Sequence, residues 1–280
     1  MKYIDSIKSL GLVIIVVTVL NYIIPLIDMN INIELLITIS TFLFAILAGF
    51  FISRLNNRYD KIRELVSLED ASLFSFYNAS KIYGNKFSEE IREIIDKYYI
   101  TCYDNPTSGA YAQTLPYVLK FWDKVREIGK YRAESSYQLL CQNLVDLEKS
   151  RKESSATYLE RLGFGQWIIL IFLSVIIVAG LFLIRTGTLT SSILTILLTS
   201  AIVLVLLIIR DLNNFMLGGI SLMEESGQQV LEAIGKERYY HESFIKKGIS
   251  RPHKNPNIKK YRLGTHEINS GKHVIRIVEK

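Results

Sequence analysis

Cysteine is nearly missing: the 280 residues contain two, Cys102 and Cys141, too few for a disulfide framework. Histidine is almost as scarce. His241, His253, His266 and His273 all fall in the last stretch of the chain, and none has a carboxylate or thiol at metal-ligand spacing. There is no glycine-rich phosphate loop, since Gly218-Gly219 is an isolated pair suited to a turn. Nucleophile elbows are lacking, as are Glu/His pairs within apolar stretches and repeats of 20–50 residues. No metal, no cofactor and no enzymatic activity is therefore expected. A nucleic-acid partner is excluded as well, because no basic patch interleaves with aromatics to make a stacking platform.

Charge is missing locally, and this absence says most. Nineteen residues separate Lys8 from Asp28 without a charge, and nineteen more separate Glu34 from Arg54. Twenty-three lie between Arg161 and Arg185, and twenty-four between Arg185 and Arg210. Such runs match a hydrocarbon core about 30 Å thick. The expectation is an all-α integral membrane protein with four spans and a long helical cytoplasmic stalk between spans 2 and 3. A wholly soluble enzyme is excluded. The first run is read as a span rather than a secretory signal, because Pro25-Leu26-Ile27-Asp28 offers no small-x-small cleavage pattern and a second span follows at once.

Orientation follows the basic residues. The Asp28–Glu34 loop has two acids and no base, whereas Arg54, Arg58, Lys61 and Arg63 follow the second span. Arg151, Lys152 and Arg161 precede the third, and from Arg210 onward 13 basic residues stand against 8 acidic ones. Both termini and the stalk are expected in the cytoplasm, which accounts for the net charge of +6 as orientation plus a basic tail. The two cysteines then sit where thiols stay reduced. Asn78-Ala79-Ser80 is a chance sequon on that side.

Four regions result: transmembrane helices 1 and 2 over 9–53, the stalk over 54–161, transmembrane helices 3 and 4 over 162–209, and a cytoplasmic C-terminal helix and basic tail over 210–280. Leu55, Tyr59, Ile62, Val66, Leu73 and Phe76 form a near-heptad stripe running out of the second span. Glu69 takes the missing step of that stripe: either it pairs with a basic group on an adjacent helix, from the Arg151–Arg161 stretch or a neighbouring subunit, or it is a surface-exposed carboxylate. Gly84 and Asn85 should break this helix, with Ser88 capping Glu89–Tyr99. Residues 104–109 read as a loop, and a helix should start near Thr114 with Pro116 in its first turn. The last stalk helix, Tyr137–Arg161, should lead into span 3 through Gly163 and Gly165, with Trp167 at the interface. Ser221-Leu222-Met223-Glu224 has capping-box spacing for a helix over 222–234 that ends at Gly235. Residues 267–278 suit a small hairpin, and 250–260 a flexible basic arm.

Two stretches carry a resemblance. One is Leu47-Ala48-Gly49-Phe50-Phe51-Ile52-Ser53 through Asn57-Arg58-Tyr59-Asp60 to Leu68-Glu69-Asp70-Ala71; the other is Ile208-Ile209-Arg210-Asp211-Leu212-Asn213 with Gly219. With the layout of two spans, long cytoplasmic helices and two spans, they resemble the bestrophin-like domain family of bacterial membrane proteins, over about residues 10–241. That family is distantly similar to bestrophins, which are pentameric anion channels. The resemblance implies a homo-oligomer in the bacterial inner membrane that passes inorganic anions. Carried over residue by residue, Gly49-Phe50 matches the pore neck, and Phe42 and Ile46 lie two turns and one turn back on the same face. The alternative for those side chains is packing inside a four-helix bundle. Arg58, Glu69, Arg210, Asp211 and Gly219 are the candidates for structural coupling. No acidic run follows the fourth span, so calcium gating is not expected. A second reading of the whole protein is a non-conducting scaffold or sensor whose stalk and tail recruit a partner or anionic lipid.

Overall fold

A chain that segregates apolar runs from charged ones must satisfy its backbone internally wherever it meets lipid, and helices do this locally. The computed structural model describes residues 6–24, 33–105, 109–129, 134–214, 221–246, 250, 252, 260–266 and 273–279. Its helices, in chain order, are α1 (Ser6–Ile23), α2 (Glu34–Ser80), α3 (Asn85–Asp104), α4 (Gly109–Glu127), α5 (Ser135–Leu159), α6 (Phe164–Leu183), α7 (Leu189–Asn213), α8 (Ser221–Ala233) and α9 (Glu242–Lys246). Three strands follow or flank the last of these: β1 (Tyr239–His241), β2 (Lys260–His266) and β3 (His273–Glu279). Three helical stretches, Glu34–Tyr83, Ser135–Leu183 and Leu189–Asn213, are long and apolar enough to cross a membrane, and Gly11–Ile23 is a shorter apolar helix.

The contacts divide the chain into two compact units, residues 1–59 with 161–217 and residues 60–160 with 218–280. In the first, Phe44, Ala48, Phe51 and Leu55 of α2 share one core cluster with Leu170, Leu173, Ile177 and Leu181 of α6 and Ile209 and Leu212 of α7. Gly180 lets α6 approach closely: a Cβ there would run into the Ile37 side chain. Helices α5 and α6 are separate, because Glu160–Gly163 is not helical and the Gly163 N–H donates to Gln166 Oε1 at 2.8 Å. The joint expected at Gly163 is therefore a break in the helix.

The second unit is built around aromatic rings. Phe76, Tyr98, Phe121 and Tyr239 are fully buried, with Leu73, Ile91, Ile95, Leu140, Leu144 and Leu147 among them. Helix α2 ends at Ser80 and tightens into a 3-10 turn, Lys81–Tyr83, that stops at the expected Gly84, whose φ of +101° side-chain-bearing residues rarely adopt. Helix α3 begins at Asn85, earlier than Ser88; that serine is buried and its hydroxyl donates to the Asn85 carbonyl instead of capping. Helix α4 begins at Gly109, which places Pro116 inside the helix rather than in its first turn. The carbonyl thereby freed belongs to Ala112, which is exposed and can turn to water. Helix α8 closes as expected at Gly235 (φ +77°), with Lys236 N–H donating to Leu231 O at 2.8 Å and Gly235 N–H to Glu232 O at 2.9 Å.

The all-α expectation needs correcting at the C-terminus. Strands β1, β2 and β3 form one sheet in that order, β1 parallel to β2 with Tyr239 opposite Arg262, and β2 antiparallel to β3 with Arg262 opposite Ile277. The hairpin strands begin at Lys260, earlier than the expected 267–278, and β1 joins them as a third strand; a Tyr-Tyr-His triplet after a helix is too short to show as a strand in the sequence. Most of the 250–260 arm lies outside the described residues, yet Ser250 is buried and its hydroxyl donates to Glu224 at 2.6 Å.

Candidate functional site

On α2 the apolar residues divide by face. Phe44, Ala48 and Phe51 are buried within their own chain. Phe42, Ile46 and Phe50, at i, i+4 and i+8, are 66%, 52% and 61% exposed, and nothing lies within 4 Å of a Cβ built on Gly49. Among the described residues these four positions lie on an exposed face of α2 and form an apolar row.

The coupling candidates occupy different places. In the first unit Arg58 is buried and its Nη1 donates to the carbonyl of Asn213 at 3.1 Å. The Asn213 side chain in turn accepts from the Leu162 N–H at 2.8 Å. One asparagine at the end of α7 thus holds both α2 and the chain entering α6. Arg210 and Asp211 pair with each other, Nη2 to Oδ1 at 2.7 Å, at the same helix end. Gly219 lies outside the described residues. Asn213→Ala strands the buried Leu162 N–H, which should cost about 1–3 kcal/mol. The melting temperature in detergent should fall accordingly, whereas the exposed Asn57→Ala control should not move it.

Sequence reasoning missed a second arginine site in this unit. Arg185, buried between α6 and α7, donates through Nη1 to Asn21 Oδ1 at 2.7 Å and to the Asn21 carbonyl, and through Nη2 to the Ile24 carbonyl at 2.6 Å. It serves the free carbonyls at the end of α1, where a cation is favoured. Its isolation between two apolar runs was the available signal.

In the second unit Glu69 accepts a hydrogen bond from Tyr98 Oη, and the charge of Arg151 acts on it. Burial pushes its carboxyl above the usual range, and the Tyr98 and Arg151 interactions oppose that push. Arg151 is fixed by Thr114 Oγ1 at 2.6 Å and the Tyr111 carbonyl at 2.9 Å, with its guanidinium 5.6 Å from the Tyr98 ring centroid. Next to Glu69, Asp70 was not singled out in the sequence. It is 5% exposed and accepts from Tyr99 Oη at 2.7 Å and from Ser226 Oγ. Burial, followed by the charge of Glu69, raises it to about 7. The tyrosines pay heavily for ionisation here, their hydroxyls being pushed well above the usual value by burial.

The tail sheet is held on α3 by charge. Arg262 makes a bidentate pair with Asp96, at 2.6 and 2.8 Å. Tyr239 Oη donates to Asp104 at 2.5 Å and lies 2.9 Å from His273 Nε2. Among the described residues, no group of three or more His, Cys, Asp or Glu could hold a metal ion.

Residues 12–226 match the family model described as the Bestrophin-like domain. The chain belongs to that family. Its fold is that of a membrane protein of the bestrophin kind: a crystal structure of a bacterial bestrophin homolog from Klebsiella pneumoniae, phased by Zn-SAD, superimposes with a TM-score of 0.60 at 14% identity, covering 83% of this chain and 99% of that one. Two point-mutated forms of the Klebsiella homolog give TM-scores of 0.61 and 0.59 at 13% identity, covering 83% and 82% of this bestrophin-like chain and 99% of each of theirs. No curated protein matches.

Proposed function

We propose that this bestrophin-like protein is a homo-oligomeric membrane ion channel, anion-conducting, with an apolar neck on α2 formed by Phe42, Ile46, Gly49 and Phe50. The observation that carries the reading is the division of α2: one face is used inside the chain, and the row at i, i+4 and i+8 is left uncovered. An exposed apolar row on a membrane helix also suits lipid; what favours a neck is its coincidence with Gly49-Phe50, where the bestrophin resemblance places one. Copies arranged about an axis would stack the row into apolar rings that gate by dewetting.

In this reading α1, α2, α6 and α7 are four spans in the bacterial inner membrane, with both termini and residues 54–161 in the cytoplasm. Arg58, Arg210, Asp211 and Gly219 couple the inner ends of the spans, and Glu69 belongs to the cytoplasmic helices. The scaffold reading draws less support, because among the described residues of the C-terminal region Arg262 is engaged by Asp96 and Arg238 by Glu225 and Glu232. The test is chloride efflux from liposomes containing the purified protein, with its oligomeric state measured in the same preparation. Flux above protein-free liposomes, carried by an oligomer, is expected; a folded protein with no flux for any anion would leave the scaffold.

A further inference from the structure

Residues 224–227 of α8 converge on one seat. Ser226 Oγ donates to Asp70 of α2, and Tyr103 Oη of α3 donates to the Glu224 carbonyl at 3.2 Å. At Gly227 the helix lies directly on tyrosine: a Cβ there would meet Tyr103 Oη and the Tyr99 ring. Tyr99, in turn, is hydrogen-bonded to Asp70. The Asp70 carboxyl is thus the polar centre at which α2, α3 and α8 meet.

The titratable and charged groups around it are Glu69 on α2; Tyr98, Tyr99, Cys102 and Tyr103 on α3; Arg151 on α5, which acts on Glu69; Glu224 on α8; and Tyr240, which acts on Tyr103. Among the described residues Asp70 has no ion pair. Its hydrogen-bond partners are two hydroxyls, and the charge that acts on it is that of another carboxylate, Glu69. A buried carboxylate so placed is expensive to ionise.

We infer that Asp70 is a proton-operated latch: neutral, it lets α8 seat on α2 and α3; ionised, it weakens that seat. The inference does not depend on whether the membrane helices conduct. The sign follows from linkage. With α8 seated the carboxyl stands at about 7, burial being the largest cause; unseating α8 returns it to water and lowers it toward its ordinary range, so the seated state binds more protons than the open one. The seat therefore loses stability as pH rises through about 7. Tyr99 and Ser226 favour the charged form and keep the transition near neutrality instead of far above it.

The experiment is amide hydrogen exchange over residues 224–234 of the full-length protein in detergent, at about pH 6 and about pH 8, corrected for the intrinsic rate. Protection should be on the order of tenfold greater at the lower pH, about one pKa unit's worth of free energy. Asp70→Asn, which keeps a neutral side chain of the same shape, should protect α8 equally at both. Equal protection of the unmodified protein at both values would overturn the latch, as would the same pH dependence in Asp70→Asn, which would assign the titration to Glu69 or Glu224. Should Asp70→Asn fail to fold, Glu69→Gln decides. Removing that neighbouring charge must lower the pH midpoint of protection, and an unmoved midpoint also overturns the proposal.

Discussion

Replacing Phe42, Ile46 and Phe50 together by alanine should raise chloride efflux on the order of tenfold, the factor given by about 1.4 kcal/mol off the barrier. In a dry constriction large apolar side chains exclude water, and truncating them lets water and ions through. The opposite outcome is equally well defined. If these side chains were core residues, each large-to-small change would remove packing and cost roughly 2–5 kcal/mol, seen as lost assembly. Their exposure in a single chain means that little intrachain packing is at stake. The measurement is efflux beside the unmodified protein, with size-exclusion profiles showing that both assemble alike. Well-folded oligomers with unchanged flux would remove the neck from α2.

Arg262→Ala should detach the C-terminal sheet. Asp96 is buried, and Arg262 meets it with two charge-assisted bonds, while the Lys236 ammonium stands further away at 3.7 Å. Removing the guanidinium leaves a buried carboxylate with a distant cation, and breaking a buried pair this way costs about 3–5 kcal/mol. Limited proteolysis should then cut the C-terminal region well before the rest of the chain. Lys260→Ala, which breaks an exposed pair with Glu279, should change the cleavage rate little, since such pairs contribute about 0–1 kcal/mol. Equal cleavage of the two variants would mean that β2 is held by its strand ladders and not by charge.

The ladders and the ion pairs also show why the tail was hard to read. Its basic residues look like a solvated arm when counted along the chain, because nothing local distinguishes an arginine in water from one facing a carboxylate on another element. Arg262 and Asp96 are separated by 166 positions. Asn213 was quoted within a motif, yet its role was hidden for the same reason: its partners Arg58 and Leu162 come from distant parts of the chain. Glu69 was legible, because a carboxylate interrupting a heptad stripe is a local anomaly. Asp70 was not, because its position one residue further along reads as solvent-facing until α8 arrives.

What the sequence determined by itself was the location of apolar helices, the helix ends at Gly84 and Gly235, and the two stretches that place the chain in its family. These are properties of consecutive residues: hydrophobic length, backbone freedom and short motifs act within a few positions. The tertiary structure decided which face of α2 is used within the chain, that the tail is a sheet, and that Asp70 is buried beside a second carboxylate. Each of these depends on which distant side chain ends up opposite a given one, and that is set by packing between elements rather than by any local pattern.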